Sequence, residues 1–473
     1  MKSSDPLIKA WQKTLARKRD TAAILATSGK VLRTFDEIEK RARDLMQRID
    51  TFNEGDVLGI QIGNHEDWPS ILIACLRRRL VVLPLEQSIS EQQRDAALEI
   101  CKASAVVCSG PGGNLPRISR VGTAETAVDW HKNPPSLLKL TSGTTATPRA
   151  IRFRSHQLLA DCSQICETMG FTDADLNFGV IPISHSYGFS NLLTPLIARG
   201  VPMVVSHDRT PRAILADLFR TNATVFPGMP VFYQAFCEME RVPVLAKLRL
   251  CISAGAPLSI AIAKKFQNKF NLAIHSFYGA SECGGICYDR HAANQGEGFV
   301  GEAMKSVGLE MTDLNRSASQ VRVHSAAVAD GYFPERDKEK LGDGIFVPDD
   351  LLAREGSGFK IVGRISDVIN VAGKKVNPAE VEARLLRFTG VRQAVVFGRE
   401  SAFRNEEVAA CVVAARGISD TDLLKFCRVA LSSWQVPKRI FIVDAIPLNE
   451  RGKISRRELS RQFSTGRETS SLP

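Results

Sequence analysis

A chain of 473 residues exceeds the usual size of one domain, so more than one is expected. With 44% hydrophobic and 24% charged residues it is not disordered, collagen-like or a small disulfide-stapled protein. Lys and Arg (62) outnumber Asp and Glu (51), and the net charge of +11 suits either an anionic partner or a merely basic, solvated surface.

The first 20 residues are charged throughout and lack the apolar core of a signal peptide, and no apolar run reaches the ~18 residues of a membrane span. A cytoplasmic protein without an integral membrane segment is therefore expected. Residues 56–62 (DVLGIQI) read as a strand, 65–78 carry apolar residues at helical spacing, and 81–85 (VVLPL) read as a second strand. Ser88 and Glu91 form a capping-box pattern opening a helix through Ile100, and 105–109 make a third strand. This alternation implies parallel strands with helices on the sheet faces. It returns at 203–206, 211–222 and 224–226, and again at 249–255, 259–270 and 273–279. The expected fold is α/β: a large region of two similar lobes, with a small β unit over 296–365 where Gly, Asp and short β-like pieces gather.

From residue 367 a separate pattern begins. Strands at 369–373, 391–398, 406–414 and 438–443 and helices at 378–388 and 421–431 make a small α+β domain rich in Lys and Arg. The expected division is 1–365 and 366–473, with a polar, frayed tail after residue 461. The cysteines are odd in number, eleven. Cys162/Cys166 and Cys283/Cys287 lack the partner sets of a zinc finger, so reduced, buried thiols are expected.

The most informative segment is KLTSGTTATPRAI, residues 139–151. Thr141, Ser142, Gly143, Thr144 and Thr145 are small and mostly hydroxylic, so backbone N–H and side-chain O–H groups can wrap an anion closely. The alternative is a Ser/Thr-rich surface turn. The GxxxxGK[ST] phosphate loop is excluded: around Gly452–Lys453, Pro447 stands where it needs Gly and Ile454 where it needs Ser or Thr. GxGxxG is absent, so a dinucleotide fold has no support.

TSGTTATPR resembles the phosphate loop of the adenylate-forming superfamily of acyl-CoA synthetases, peptide-synthetase adenylation domains and beetle luciferases. The family's other motifs follow in order: PISHSYGF (182–189), SAGAPL (253–258), YGASE (278–282), GDGIFVPDDL (342–351), KIVGRISD (360–367) and PLNERGKISRREL (447–459). The resemblance spans about 56–459. It implies a large AMP-binding domain and a small mobile lid that rotates on Asp367. Thr141–Thr145 and Arg149 would hold phosphates. Gly255, Ala256 and Pro257 would line one adenine face, with Tyr278, Gly279, Ala280 and Ser281 near the other. Glu282, with Thr141 as a second candidate, would contact Mg²⁺. Asp350 would take the ribose hydroxyls beside Arg364. Lys453 would bridge carboxylate and α-phosphate, and His185 would act at the acyl pocket, near Met229, Phe232, Tyr233 and Gly284.

The implied reaction uses ATP and Mg²⁺ to convert a carboxylic acid, fatty or aryl, into an acyl-adenylate. The acyl group then passes to the thiol of coenzyme A or to the phosphopantetheine of an acyl carrier protein. An amino-acid substrate is disfavoured, because 182–189 holds no Asp to pair with its ammonium. The alternative from another class is an inactive nucleotide-binding relative. Nucleic acid is not an expected partner, since the few Tyr and Trp do not cluster with basic runs. Four departures stand out: Ala146 for Gly, Arg149 for Lys, Pro348–Asp349 for Thr-Gly, and Asn449 for Thr.

Overall fold

A computed structural model describes residues 5–110, 116–121, 128–130, 133–141, 149–315, 317–371, 374–401, 405–447 and 454–464. Ser142, Gly143, Thr144, Thr145, Ala146, Asn449, Lys453 and the tail beyond residue 464 lie outside the described residues. The chain gathers into two units, one of residues 1–312, 321–348 and 354–360, the other of 313–320, 349–353 and 361–473.

In the large unit, Val57–Gln61 lies parallel to Val81–Pro84 on one side and Ala103–Cys108 on the other, as the strand–helix alternation requires. Every residue of Val57–Gln61 and Val81–Pro84 is buried, as expected for parallel strands covered on both faces. Helix Trp68–Arg78 makes the first crossover, opening on Pro69 and ending where Arg79 turns left-handed at φ 56°. Leu137–Leu140 joins the same seven-stranded sheet beside Val81–Pro84 and pairs antiparallel with Ala150–Phe153.

A second sheet sets Ala22–Ala26, Met203–Val205, Asn177–Gly179, Val225–Gly228, Leu250–Ser253 and Ile274–Ala280 side by side and parallel. Antiparallel strands Gly284–Tyr288 and Phe299–Ala303 extend it, the latter pairing with Phe359 and Lys360. Its core holds Phe178, Phe226, Tyr233, Phe236 and Phe266, all under 2% exposed. A small antiparallel sheet of Gly308–Met311, Val321–His324, Leu341–Gly342 and Ile345–Phe346 accounts for the short β-like pieces.

The small unit carries an antiparallel sheet of Lys374–Val376, Ile369–Val371, Asn405–Ala414 and Val391–Ser401, with Arg439–Ile442 parallel to Asn405–Ala414. Helices Pro378–Leu386 and Asp420–Ala430 bury Val381, Leu385, Leu423 and Cys427 in one core, and Leu459 of Arg456–Ser464 enters a second.

Three features differ from the sequence expectation. The helix expected from Ser88 runs Glu91–Ile100, and its capping box is Ser90 with Gln93, not Ser88 with Glu91. Residues 5–48, for which no element was expected, form helices Pro6–Lys18 and Phe35–Arg48 around strands Ala22–Ala26 and Val31–Thr34. Beyond His185 the chain enters Ser186–Gly188 and then a π-helical turn, Phe189–Leu193. All cysteines are free and all but Cys108 are buried, as reduced core thiols should be. Among the described residues no helix is long and apolar enough to cross a membrane.

Candidate active site

The strand Leu137–Leu140 and its partner Ala150–Phe153 bracket the hydroxyl-rich loop, and its two ends close on each other. Thr141 donates from its backbone N–H and its hydroxyl to the carbonyl of Arg149, at 2.8 and 3.0 Å. The Thr141 hydrogen is thereby committed, while its oxygen keeps lone pairs. The Arg149 guanidinium lies 4.1 Å over the Tyr332 ring, with Asp337 at 4.0 Å. The Tyr332 hydroxyl donates to Glu282 Oε1 at 3.1 Å. Burial pushes the Tyr332 phenol well above its ordinary range, so it stays a donor. Thr141, Arg149 and Glu282, distant in sequence, are thus brought to one place through Tyr332, which carried no motif signal.

Residues 254–257 and 281–282 leave the carboxyl ends of the neighbouring parallel strands Leu250–Ser253 and Ile274–Ala280. Ligands of open α/β sheets bind at such ends. Gly255, Ala256 and Pro257 are exposed, and Gly255 takes φ +85°, a left-handed turn that favours glycine. Tyr278 is buried at 8% exposure, Gly279 is exposed, and Ala280, Ser281 and Glu282 are half-buried. Glu282 and the Thr141 hydroxyl are oxygen donors of the kind a hard divalent cation takes. Among the described residues no three His, Cys, Asp or Glu gather, so Mg²⁺ here would draw its other ligands from water and phosphates.

His185 caps the short helix Ser186–Gly188 and is held by a residue the motifs did not reveal. Glu86 Oε2, just beyond Val81–Pro84, lies 3.4 Å from His185 Nε2. That hydrogen bond, working against burial and helped by the His185 and Arg209 charges and by Ser88, holds the Glu86 carboxyl down to about 2. Asn64 fixes the approach to His185: its amide donates to Gly179 O and Ile181 O at 2.9 and 3.2 Å, and its Oδ1 accepts from Ile183 N at 2.8 Å. Tyr187 is half-buried and donates to Gly228 O at 3.3 Å. Met229 and Phe232 pack at the edge of the apolar core. Tyr233 does not face a pocket; it is fully buried, ringed by Phe226, Phe236 and Phe266, and its hydroxyl donates to Ile252 O at 2.8 Å. Its aromatic neighbours come from the adjoining strand (Phe226), its own helix (Phe236) and the helix Ile260–Phe270 (Phe266), and that environment is what draws it inward.

Two buried ionisable residues, Lys139 and Asp161, lie in the same unit. Lys139, 5% exposed, points its ammonium over the rings of Phe153 and Phe189 at 4.6 and 5.3 Å. Burial pulls it down to about 8, against the opposing charges of Asp161, Cys283 and Glu282. Asp161, on helix Ser155–Met169, accepts from Gly285 N at 3.0 Å. Burial pushes its carboxyl up, while Lys139, Ser190 and Gly285 N oppose that rise.

In the small unit, Arg364 Nε donates to Asp350 Oδ1 at 2.7 Å, and Asp350 is 8% exposed. Of the two adjacent carboxylates it is Asp350 that meets the arginine, while Asp349 contributes its carbonyl to Ile365 N. Asp367 is bound by Arg456 Nη1 at 2.6 Å; the same guanidinium reaches Glu382 Oε1 at 2.7 Å and Val396 O at 2.9 Å. Arg456 was visible in sequence only as part of a basic run.

The model of the AMP-binding enzyme family matches residues 11–333, and that of the AMP-binding enzyme C-terminal domain matches 380–453. A probable CoA ligase of Humulus lupulus is 27% identical, with 89% of each chain covered. An oxalate–CoA ligase of Arabidopsis thaliana is 26% identical, covering 95% of this chain and 97% of the relative. A feruloyl-CoA synthase of an Amycolatopsis species is also 26% identical, covering 96% and 98%. The structure of ATP-bound MatB from Rhodopseudomonas palustris superposes with TM-score 0.84 at 24% identity, over 96% of this chain and 99% of that one, so the two share a fold.

Proposed function

Because the chain belongs to the AMP-binding enzyme family and is an enzyme of the AMP-forming acid–CoA ligase kind, we propose that it activates a fatty or aryl carboxylic acid with ATP and passes the acyl group to coenzyme A. The observation that carries this reading is the convergence of the closed loop base at Thr141 and Arg149 with Glu282 through Tyr332. That convergence supports an anion site beside an oxygen donor for a cation.

A carboxylate is a poor acylating agent because its leaving group would be oxide. In the first step a carboxylate oxygen forms a bond to the α-phosphorus and the bond to the pyrophosphate oxygen breaks, giving the mixed anhydride. Two anions must meet, so the barrier is electrostatic and positional. Arg149 and the loop hold the departing phosphates, and Lys453 neutralises the approaching carboxylate and the α-phosphate. Bound Mg²⁺ would supply further charge neutralisation next to Glu282 and Thr141. Asp350 accepts from the ribose hydroxyls, with Arg364 fixing its carboxylate. In the second step a thiolate adds to the acyl carbonyl and AMP leaves, after the small domain turns on Asp367. A carrier-protein phosphopantetheine presents the same thiol; a dihydroxybenzoate–aryl-carrier-protein ligase of Bacillus anthracis, 28% identical over 70% of this chain, favours keeping that acceptor in the test.

Labelled pyrophosphate exchange into ATP, measured across a panel of oxalate, malonate, ferulate, dihydroxybenzoate and C6–C16 fatty acids, tests the reading. Exchange with one class is expected, followed by detection by mass of its thioester with coenzyme A or with a phosphopantetheinylated carrier. Saturable ATP binding without exchange for any acid would instead mark a nucleotide-binding relative.

A further inference from the structure

The second half-reaction has a proton to dispose of. A thiol attacks as its thiolate, and an unperturbed thiol, of pKa about 8.5, is mostly protonated at neutral pH. The cations that act in the first step cannot accept that proton, whereas a neutral imidazole can. Among the described residues three histidines follow the carboxyl ends of parallel strands: His65 beyond Val57–Gln61, His185 beyond Asn177–Gly179 and His207 beyond Met203–Val205. In His65, Nδ1 is occupied by Asp67 N at 3.1 Å. His207 is exposed and meets no carboxylate among the described residues.

His185 differs from both, because its ring is tethered at one nitrogen and open at the other. Glu86 Oε2 lies 3.4 Å from Nε2, and Glu86 Oε1 accepts from Ser88 Oγ at 3.2 Å. An ionised carboxylate only accepts, so Nε2 carries the hydrogen and Nδ1 keeps the lone pair. Nδ1 makes no hydrogen bond among the described residues, and the side chain is 44% exposed. The loop beneath the ring is braced. Asn64, from the sheet that also supplies Glu86, holds Gly179, Ile181 and Ile183 and reaches Ser206 O at 3.4 Å. His185 N donates to Pro182 O at 3.0 Å, and Gly188 leaves no room for a Cβ beside that same carbonyl. Two residues beyond the imidazole, Tyr187 reaches Gly228 O, and the next residue, Met229, has its Cε 3.8 Å from where a Cβ on Gly255 would stand. A base is thus carried on a rigid loop at the carboxyl ends of both sheets, where ligands of such folds bind.

We propose that Glu86 and His185 form a dyad that takes the proton of the acceptor thiol in the second half-reaction, with His185 Nδ1 accepting it and Glu86 as the positioning residue that orients the ring. The S–H bond breaks as the proton passes to Nδ1. The sulfur bonds to the acyl carbon, the bond from that carbon to the phosphate oxygen breaks, and AMP leaves with the electron pair. Glu86 balances the imidazolium until its proton passes to water. The inference rests on the thiol-transfer part of the function proposed above.

The test compares wild type, Glu86→Gln, His185→Ala and His207→Ala with an acid that supports exchange. Pyrophosphate exchange reads the first half-reaction. Single-turnover thioester formation from preloaded adenylate reads the second, with coenzyme A and with a phosphopantetheinylated carrier as acceptors. His185→Ala is expected to lose about a hundredfold in transfer, at least about tenfold more than it loses in exchange, and added imidazole should restore transfer at least about fivefold. Glu86→Gln should lose about tenfold in transfer, and His207→Ala should match wild type in both assays. Transfer that falls no further than exchange in His185→Ala, or that imidazole does not restore, would overturn the dyad and leave the ligase reading standing. Wild-type transfer in Glu86→Gln would overturn it equally. Absence of exchange with every acid in wild type would overturn both.

Discussion

Gly284→Ala is a severe change for a single methyl group. Gly284 has φ +71°, where alanine costs about 1 kcal/mol. Its Cβ would lie 2.0 Å from Asp161 Oδ1 and 2.3 Å from Cγ, so the carboxylate must retreat by more than about 1 Å. Retreat breaks the 3.0 Å bond from Gly285 N, and losing a buried charge-assisted bond costs about 1–3 kcal/mol. The sum is about 2–4 kcal/mol, a drop of roughly 3–6 °C in a unit this large, whose unfolding entropy is correspondingly high. Thermal melts of Gly284→Ala, Asp161→Ala and the double variant make a cycle. The double variant should be less destabilised than the sum of the singles by about 1–3 kcal/mol, because truncating Asp161 makes room for the methyl. Melting of Gly284→Ala within a degree or two of wild type, or a cycle that closes additively, would refute this reasoning.

Three further outcomes follow from the site. Glu86 has a carboxyl pKa of about 2, below its unfolded value near ~4.3, so its stabilisation is complete above the unfolded pKa and fades as pH falls toward the folded one. Glu86→Gln lacks that contribution, and its melting temperature should fall less than that of wild type between pH 5 and pH 3 (about the titration window); equal falls would contradict the Glu86–His185 contact. Tyr332→Phe removes the hydroxyl that orients Glu282 and should raise the Mg²⁺ concentration for half-maximal exchange about tenfold, read by titration; an unchanged requirement argues against Glu282 as the cation donor. Arg456→Ala strips Asp367 and Glu382 of their shared cation, which is 31% exposed and so partly screened. A loss of about 1–2 kcal/mol is expected, visible as faster hydrogen exchange at 365–367, and unaltered exchange there would count against the clamp.

Much of the architecture was legible because it is local. Buried parallel strands such as 57–61 and 81–84 announce themselves as apolar runs, and the loop at 141–149 by its density of hydroxyls. Boundaries were less so: Ser88 and Ser90 each begin a three-residue spacing to a Glu or Gln, and only the folded chain shows that Ser90 caps. The residues that orient the site were not legible at all. Glu86 meets His185 from 99 positions away, Tyr332 meets Glu282 from 50, and Asn64 meets Ile183 from 119. Such contacts follow from the order of strands in the two sheets, which no local periodicity encodes. Nothing in the sequence analysis singled out Lys139, although strand alternation puts its side chain on the same face as Leu137, which is fully buried.

The central claim is that ATP is opened by a carboxylate with Lys453 as the neutralising cation. Its most direct test sets pyrophosphate exchange against ATP binding in wild type and Lys453→Ala, using whichever acid supports exchange. The account predicts that the variant loses at least about a hundredfold in exchange while binding ATP within a few-fold of wild type. Undiminished exchange in Lys453→Ala would contradict it.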